Sequence, residues 1–326
     1  MKIKKILTSI SQAILLSIGL LISLGMGLAI GYVGGLVKDQ PVLTQKEMKE
    51  QINNISKNSE VYFGSGEKLG TINSELIRKT VTYENIGDNV KNAIIASEDS
   101  NFYSNSGIDI WAVLRATHSE ATGARTTGGS TITQQLVKNQ LLDNSRSYER
   151  KAKEILLALR VDSHFSKNEI LENYLNVAPF GKNSLGQNIS GIETAAQGVF
   201  GVHSKDLNIA QAAYLVGFVQ SPYTYTPFDS AGNIRPDEEL QAGFERQQYV
   251  LERMLSNDFI TKEQFEEAKK FDIKGAYTKQ KYSEYTDYPY IRDEVTSSVA
   301  EILAEQTAKK NNREEEFKND SDYRNE

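Results

Sequence analysis

Hydrophobic and polar positions change their spacing several times along this chain. From Ile6 to Val37 there is no charged residue, and the more hydrophobic part, Ala13 to Val37, exceeds the roughly 20 residues a helix needs to cross hydrocarbon. The pattern predicts one transmembrane helix, with the cytoplasmic tip and anchor occupying residues 1–38. Lys2, Lys4 and Lys5 precede it, so the positive-inside rule puts the N-terminus in the cytoplasm and the rest of the chain outside. A signal-peptide apolar region of about 7–15 residues is shorter than this stretch, which favours an uncleaved anchor. Gly27, Gly31 and Gly35 recur every four residues, a close-approach pattern that is also common in membrane spans of every kind.

Residues 39–58 are polar and charged and are expected to form a stalk. From Glu60 to Ile72, β-forming residues flank Gly64-Ser65-Gly66, a hairpin signal. Helical spacing then dominates. Ile86, Val90, Ala93, Ile94 and Ser97 fall on one face, and Trp111, Leu114 and Arg115 follow a candidate cap at Asp109. Leu156, Leu159 and Arg160, and then Ile170, Leu171, Tyr174 and Leu175, continue the period. The external part therefore reads as mainly α, with a small N-terminal β-element.

The segment Glu120 to Ser130 breaks this pattern with glycines and threonines and no large apolar side chain. It is expected to be a solvated connector or a mobile cover over a site. After Thr261 the chain is rich in Lys, Glu and Tyr, and residues 261–326 are expected to form a connector and a charged, disordered tail.

Composition removes several kinds of chemistry. A net charge of −6 disfavours nucleic acid as a partner. The absence of cysteine excludes disulfides, thiolate catalysis and Cys-ligated zinc, and three histidines leave little for a His-based metal site.

The chemistry-bearing residues are carboxylates, amides and cations. Gly123 to Ser130 nearly matches a phosphate-binding loop, but Gly129 stands where its lysine belongs and no strand precedes it. Beyond it, Gly128-Gly-Ser-Thr-Ile-Thr-Gln-Gln135 enters a helix carrying Lys138 and Asn139, with Gln134 and Lys138 one turn apart. Ser130 or Thr131 suits the cap, which leaves the adjacent glutamines unexplained. Arg146, Arg150 and Glu154 recur every four residues beside Lys151 and Lys153, as a basic stripe ending in an acid or as ordinary surface pairs. Glu98 closes an apolar helix, where an acid either faces water or works.

Taken together, these stretches resemble the successive motifs of family 51 glycosyltransferases, the transglycosylase region of class A penicillin-binding proteins. The resemblance rests on Glu98-Asp99 with Phe102 and Gly107, the Gly-Gly-Ser-Thr-Ile-Thr-Gln-Gln block, Arg150-Lys-Ala-Lys-Glu154, and Lys167-Asn-Glu-Ile-Leu-Glu-Asn-Tyr-Leu-Asn176. It covers residues 60 to 260 and extends through Gly191-Ile192, Ala195-Ala196, Phe200-Gly201 and Ser221-Pro222. There are two departures: Asn105-Ser106 replace a usual histidine pair, and Gln247 follows Arg246 where paired arginines are usual.

The resemblance implies a lysozyme-like, mainly α domain over residues 59–260, with a large lobe and a smaller membrane-facing one around a glycan groove. It implies polymerisation of lipid II with inversion and release of undecaprenyl diphosphate, and sensitivity to moenomycin. Glu98 would be the general base, and Glu154 a second catalytic carboxylate that orients cations or substrate instead of transferring a proton. Asp99, Phe102, Ser130, Thr131, Gln134, Gln135, Lys138, Asn139, Arg146, Arg150, Lys151 and Lys153 would bind substrate. No cofactor is required, and a magnesium or manganese ion at the diphosphate is left open. The implied partners are lipid II, the growing glycan, the membrane and other cell-wall synthesis or division proteins. A lysozyme-like hydrolase and an inactive scaffold are the alternatives. No Lys-Thr-Gly occurs, and Ser65-Gly-Glu-Lys68 lies in the predicted hairpin, so no transpeptidase activity is expected.

Overall fold

The computed structural model describes residues 2–38, 43–55, 60–66, 68–71, 76–111, 129–143, 145, 147–278 and 289–320. Most of the segment Glu120–Gly129, the body of the helix expected after Asp109, and Arg146 lie outside these residues. The chain is mainly helical and divides into two compact units, residues 1–54 with 98–174, and residues 55–97 with 175–326.

The first unit begins with helix α1, Lys2–Val37, 36 residues long. Its described side chains are those at 12, 14–21, 23–25, 27, 28, 31 and 34–36. Among the described residues no helix is long and apolar enough to cross a membrane. Within the segment expected as a stalk, helix α2 (Gln45–Asn53) starts from a capping box of Thr44 and Glu47. Met48 and Ile52, one turn apart, are fully buried. The stalk segment thus carries an apolar face that packs, which its polar average hides.

In the second unit, β1 (Glu60–Tyr62) and β2 (Lys68–Thr71) pair antiparallel, Glu60 opposite Thr71, as the hairpin signal predicts. Gly66 takes φ +85° at the turn, a conformation open to glycine at little cost. A second sheet was not foreseen. Strand β3 (Leu76–Arg78) runs parallel to the central strand β5 (Asn188–Ser190), and β4 (Pro179–Lys182) is antiparallel on its other side. Strands this short show no alternation to read.

Helix α3 (Asp88–Glu98) buries Val90, Ala93, Ile94 and Ile95 within the second unit and hands Glu98 to the first. In the first unit, α4 (Ile132–Gln140) packs on α5 (Tyr148–His164), and α6 (Lys167–Val177) buries Ile170, Leu171 and Tyr174 completely. Helix α5 buries Ala152, Ala158 and Val161, while Leu156 and Leu159 sit at the border of exposure.

The second unit continues with α7 (Ile192–Phe200), α8 (Ile209–Phe218), the short α9 (Pro222–Tyr225), α10 (Asp237–Ser256) and α11 (Lys262–Lys270). Its core is α8, buried from Ala210 to Phe218 and packed on α10. Gln247, one of the departures, is buried there and donates to the Ala210 carbonyl at 2.9 Å. A neutral amide satisfies that position, whereas an arginine would need a buried counter-charge. Packing runs past residue 260: Phe265, Ala268, Ile273 and Tyr277 are buried, and the Tyr277 hydroxyl meets that of Tyr214 at 2.7 Å. In the stretch expected as a disordered tail, residues up to 320 form α12 (Pro289–Lys310) and α13 (Glu314–Asn319), with Ala308 buried. Residues 321–326 lie outside the described residues.

Candidate active site

The site builds from the start of α4. Thr131 is its N-cap, accepting from the Gln134 N–H at 3.1 Å, while Gln134 Oε1 accepts from the Thr131 N–H at 3.0 Å. This reciprocal capping satisfies two backbone donors that a helix start leaves open. Thr131 Oγ1 also donates to the Gly107 carbonyl at 2.6 Å. Gly107 sits at φ +85°, and a Cβ there would lie 2.5 Å from the Ala158 carbonyl oxygen, so only glycine fits.

Asp99 belongs to the same construction. Its carboxylate accepts from the Ile132 N–H at 3.1 Å and from Asn105 Nδ2 at 2.9 and 3.1 Å, and the residue is 7% exposed. Burial pushes its pKa up to about 6, against the Ile132 and Asn105 hydrogen bonds and the nearby Lys167 charge. Asn105 Oδ1 accepts from the Gly107 N–H and from Lys167 Nζ, and Lys167 pairs with Asp162 at 2.5 Å. Asn105 therefore works as a hub where the family pattern has histidine.

Several expected substrate ligands are consumed by this frame. Asp99, Thr131 and Gln134 are buried with their polar atoms committed inside the protein. Phe102 is fully buried, with Lys167 Nζ 4.9 Å from its ring centre. These four position others instead of facing solvent. Gln134 and Lys138, one turn apart on α4, differ in exposure: Gln134 is fully buried and Lys138 is exposed. The accessible side of α4 carries Gln135, Lys138 and Asn139.

Two hydrogen-bonded groups remain, joined by the paired glutamines. Gln135 Nε2 donates to Glu98 Oε2 at 3.1 Å. Gln134 Nε2 donates to Glu154 Oε1 at 3.2 Å. Glu154 is 2% exposed and also bonds Lys151 Nζ at 2.5 Å, and that ammonium donates to Ser130 Oγ at 3.0 Å. Glu154 thus holds a cation at the surface end of the group. Arg150 lies beside it, with Nη1 3.4 Å from the Asp143 carbonyl. Lys153 points away: two residues from Lys151 is about 200° around a helix, and it pairs with Glu149 at 2.9 Å. Among the described residues no group of three or more His, Asp or Glu side chains could hold a metal ion.

Sequence reasoning assigned no role to Tyr174. Its hydroxyl donates to Gln135 Oε1 at 2.7 Å from a fully buried position. Burial and the Glu98 charge push its pKa well above the usual tyrosine value. The signal was available, because a tyrosine on the apolar face of a helix must find a partner for its hydroxyl.

Residues 65–255, more than half of the chain, match the model of the transglycosylase family. The chain belongs to that family. Relatives of this transglycosylase include penicillin-binding protein 1A of Aquifex aeolicus, 40% identical over 242 residues that make up 74% of this chain and 31% of the relative. Penicillin-binding protein 1A/1B of Bacillus subtilis is 34% identical over 288 residues, 85% of this chain and 29% of the relative. Penicillin-binding protein 2a of Streptococcus pneumoniae is 35% identical over 239 residues, 73% and 30%. The chain spans about a third of the length of the curated relatives it matches.

Proposed function

We propose that this transglycosylase is a membrane-anchored peptidoglycan glycosyltransferase that joins lipid II units into β-1,4-linked glycan outside the cell. The observation that carries the reading is the pair of carboxylates fixed by neighbouring amides, one partly exposed (Glu98) and one buried against a cation (Glu154).

Glu98 takes the proton of the acceptor sugar's 4-hydroxyl as that oxygen bonds to the anomeric carbon of the growing chain. The bond from that carbon to the diphosphate breaks, the centre inverts, and undecaprenyl diphosphate leaves with the bonding electron pair. A carboxylate already ionised at neutral pH can accept that proton. Negative charge gathers on the diphosphate, and Lys151, Arg150 and Lys138 supply positive charge beside Ser130 and Asn139. That charge speeds the reaction to the extent that it binds the departing diphosphate better than the bound substrate. Glu154 keeps Lys151 in place. A magnesium or manganese ion accompanying the diphosphate would take phosphate oxygens and water as its main ligands.

The anchor reading rests on the charge-free run from Ile6 to Val37 and the lysines before it. A 36-residue helix is about 54 Å long, more than the roughly 30 Å of hydrocarbon in a bilayer. Along it Leu15, Leu16, Leu20, Leu21, Leu24 and Leu28 are each more than 60% exposed, which suits lipid as their surroundings. Lipid II is itself confined to the bilayer, so an anchor keeps the site beside its substrate.

The deciding experiment is to supply labelled lipid II to a membrane preparation of this chain. Long glycan that moenomycin suppresses is the expected product. Release of soluble sugar fragments from preformed glycan would make it a hydrolase, and inertness toward lipid II would leave an inactive scaffold.

A further inference from the structure

The carboxylate of Glu98 is held in part by a residue it does not touch. Tyr174 Oη donates to Gln135 Oε1 at 2.7 Å, and Gln135 Nε2 donates to Glu98 Oε2 at 3.1 Å. A primary amide has an accepting end and a donating end, and its neighbours decide which way it points. An ionised carboxylate only accepts, so it requires Nε2. A phenol facing the oxygen end must donate, and it keeps the amide from turning round.

We propose that Tyr174 is a positioning residue for Glu98: by donating to Gln135 it locks the amide with Nε2 toward Glu98 Oε2, and so aims the carboxylate at the acceptor hydroxyl. The inference rests on the reading of Glu98 as the general base.

Three observations support it. Tyr174 is fully buried on the face that carries Ile170 and Leu171, so phenylalanine would fill the same space and lose only the hydroxyl. Its pKa is pushed well above the usual tyrosine value by burial and by the Glu98 charge, so it remains a donor throughout the working range. Gln135 lies on the first turns of α4, where the reciprocal cap of Thr131 and Gln134 fixes the backbone beneath it.

Without the phenol, the amide can present Oε1 to Glu98, where two acceptors repel. Lys138, Asn139, Arg150 and Lys151 are left in place, so the loss is expected on kcat and not on KM.

The test uses the full chain in detergent micelles with labelled lipid II, comparing Tyr174→Phe, Gln135→Met and the double variant. Tyr174→Phe should lower kcat about tenfold with KM changed less than about twofold. Gln135→Met should lower kcat at least as much, and adding Tyr174→Phe to it should change nothing further, because the hydroxyl acts only through the amide. Wild-type kcat in either single variant overturns the proposal, as does an unchanged Tyr174→Phe effect in the Gln135→Met background. Should Tyr174→Phe fail to fold, Gln135→Met at a partly exposed position still decides. Inertness of the unmutated chain overturns the general-base reading and this inference with it, a result distinct from an active parent with indifferent variants.

Discussion

Gln134 and Gln135 are adjacent in the chain and hold different carboxylates: Gln134 donates to the buried Glu154 and Gln135 to the partly exposed Glu98. Successive residues on a helix point about 100° apart. One short helix can therefore fix two acids in two different environments, provided its start is rigid. The capping box of Thr131 and Gln134, and the Asp99 carboxylate on the first helical N–H, supply that rigidity.

Replacing Glu98 by Gln removes a base while keeping its size and its capacity to bond Gln135. Polymerisation should fall by at least about 10²-fold, the usual scale of general-base catalysis. Lipid II affinity should stay within about twofold, which binding measured beside incorporation of label would check. Full-rate incorporation would remove Glu98 from the reaction.

The Lys151–Glu154 pair separates a structural role from a chemical one. Lys151→Met leaves a carboxylate of 2% exposure with Gln134 as its one hydrogen-bond partner among the described residues and should destabilise the protein by about 1–3 kcal/mol. Adding Glu154→Gln removes the stranded charge and should restore most of that stability. Activity should not return, because the cation facing the diphosphate is still missing. Chemical denaturation beside a polymerisation assay reads both, and recovery of activity in the double variant would place the role of Lys151 in packing alone.

Asp99 makes stability depend on pH in an unusual direction. Its pKa is raised from 3.8 to about 6 in the folded protein, so the native state holds this proton more tightly than the unfolded chain. The resulting stabilisation is complete below about 3.8 and is lost as pH rises through about 6. Relative to Asp99→Asn, the protein should therefore lose up to about 3 kcal/mol between about pH 4 and pH 7. Urea titrations of both proteins across that range measure the difference. A constant difference would mean that hydrogen bonds from Asn105 and Ile132 cancel the effect of burial.

Sequence carried the helices well and the division of labour within the site less well. Long apolar periods such as Ile170, Leu171 and Tyr174 show directly which side is buried. The second sheet, by contrast, is built from strands of three and four residues whose pairing is non-local. Glu98, Glu154, Gln135, Lys151 and Ser130 all stand in the motifs, and their hydrogen bonds form two groups, Glu98 with Gln135 and Glu154 with Lys151 and Ser130. Asp99, Phe102, Thr131 and Gln134 sit in the same motifs but are buried, since a motif conveys proximity without saying which members face inward. Asn105, a departure from the family pattern, is a hub, because its amide donates to Asp99 and accepts from Gly107 in one place.

Removing residues 1–38 tests the anchor separately from the chemistry. The residues placed at the reaction all lie beyond this segment, so the shortened chain should still convert lipid II in detergent micelles, where enzyme and substrate meet by diffusion. In vesicles the lipid tail keeps the substrate in the bilayer, and a protein without its apolar helix must find that surface from solution. The rate in vesicles should fall at least about tenfold while the rate in micelles stays within about threefold, the gap reflecting lost co-localisation and not a weaker site. Flotation of both proteins with vesicles supplies the independent readout: the full chain should float and the shortened one should stay behind. Equal flotation and equal rates in vesicles would show that the remaining chain holds the membrane unaided, and would take the anchoring role away from the N-terminal helix.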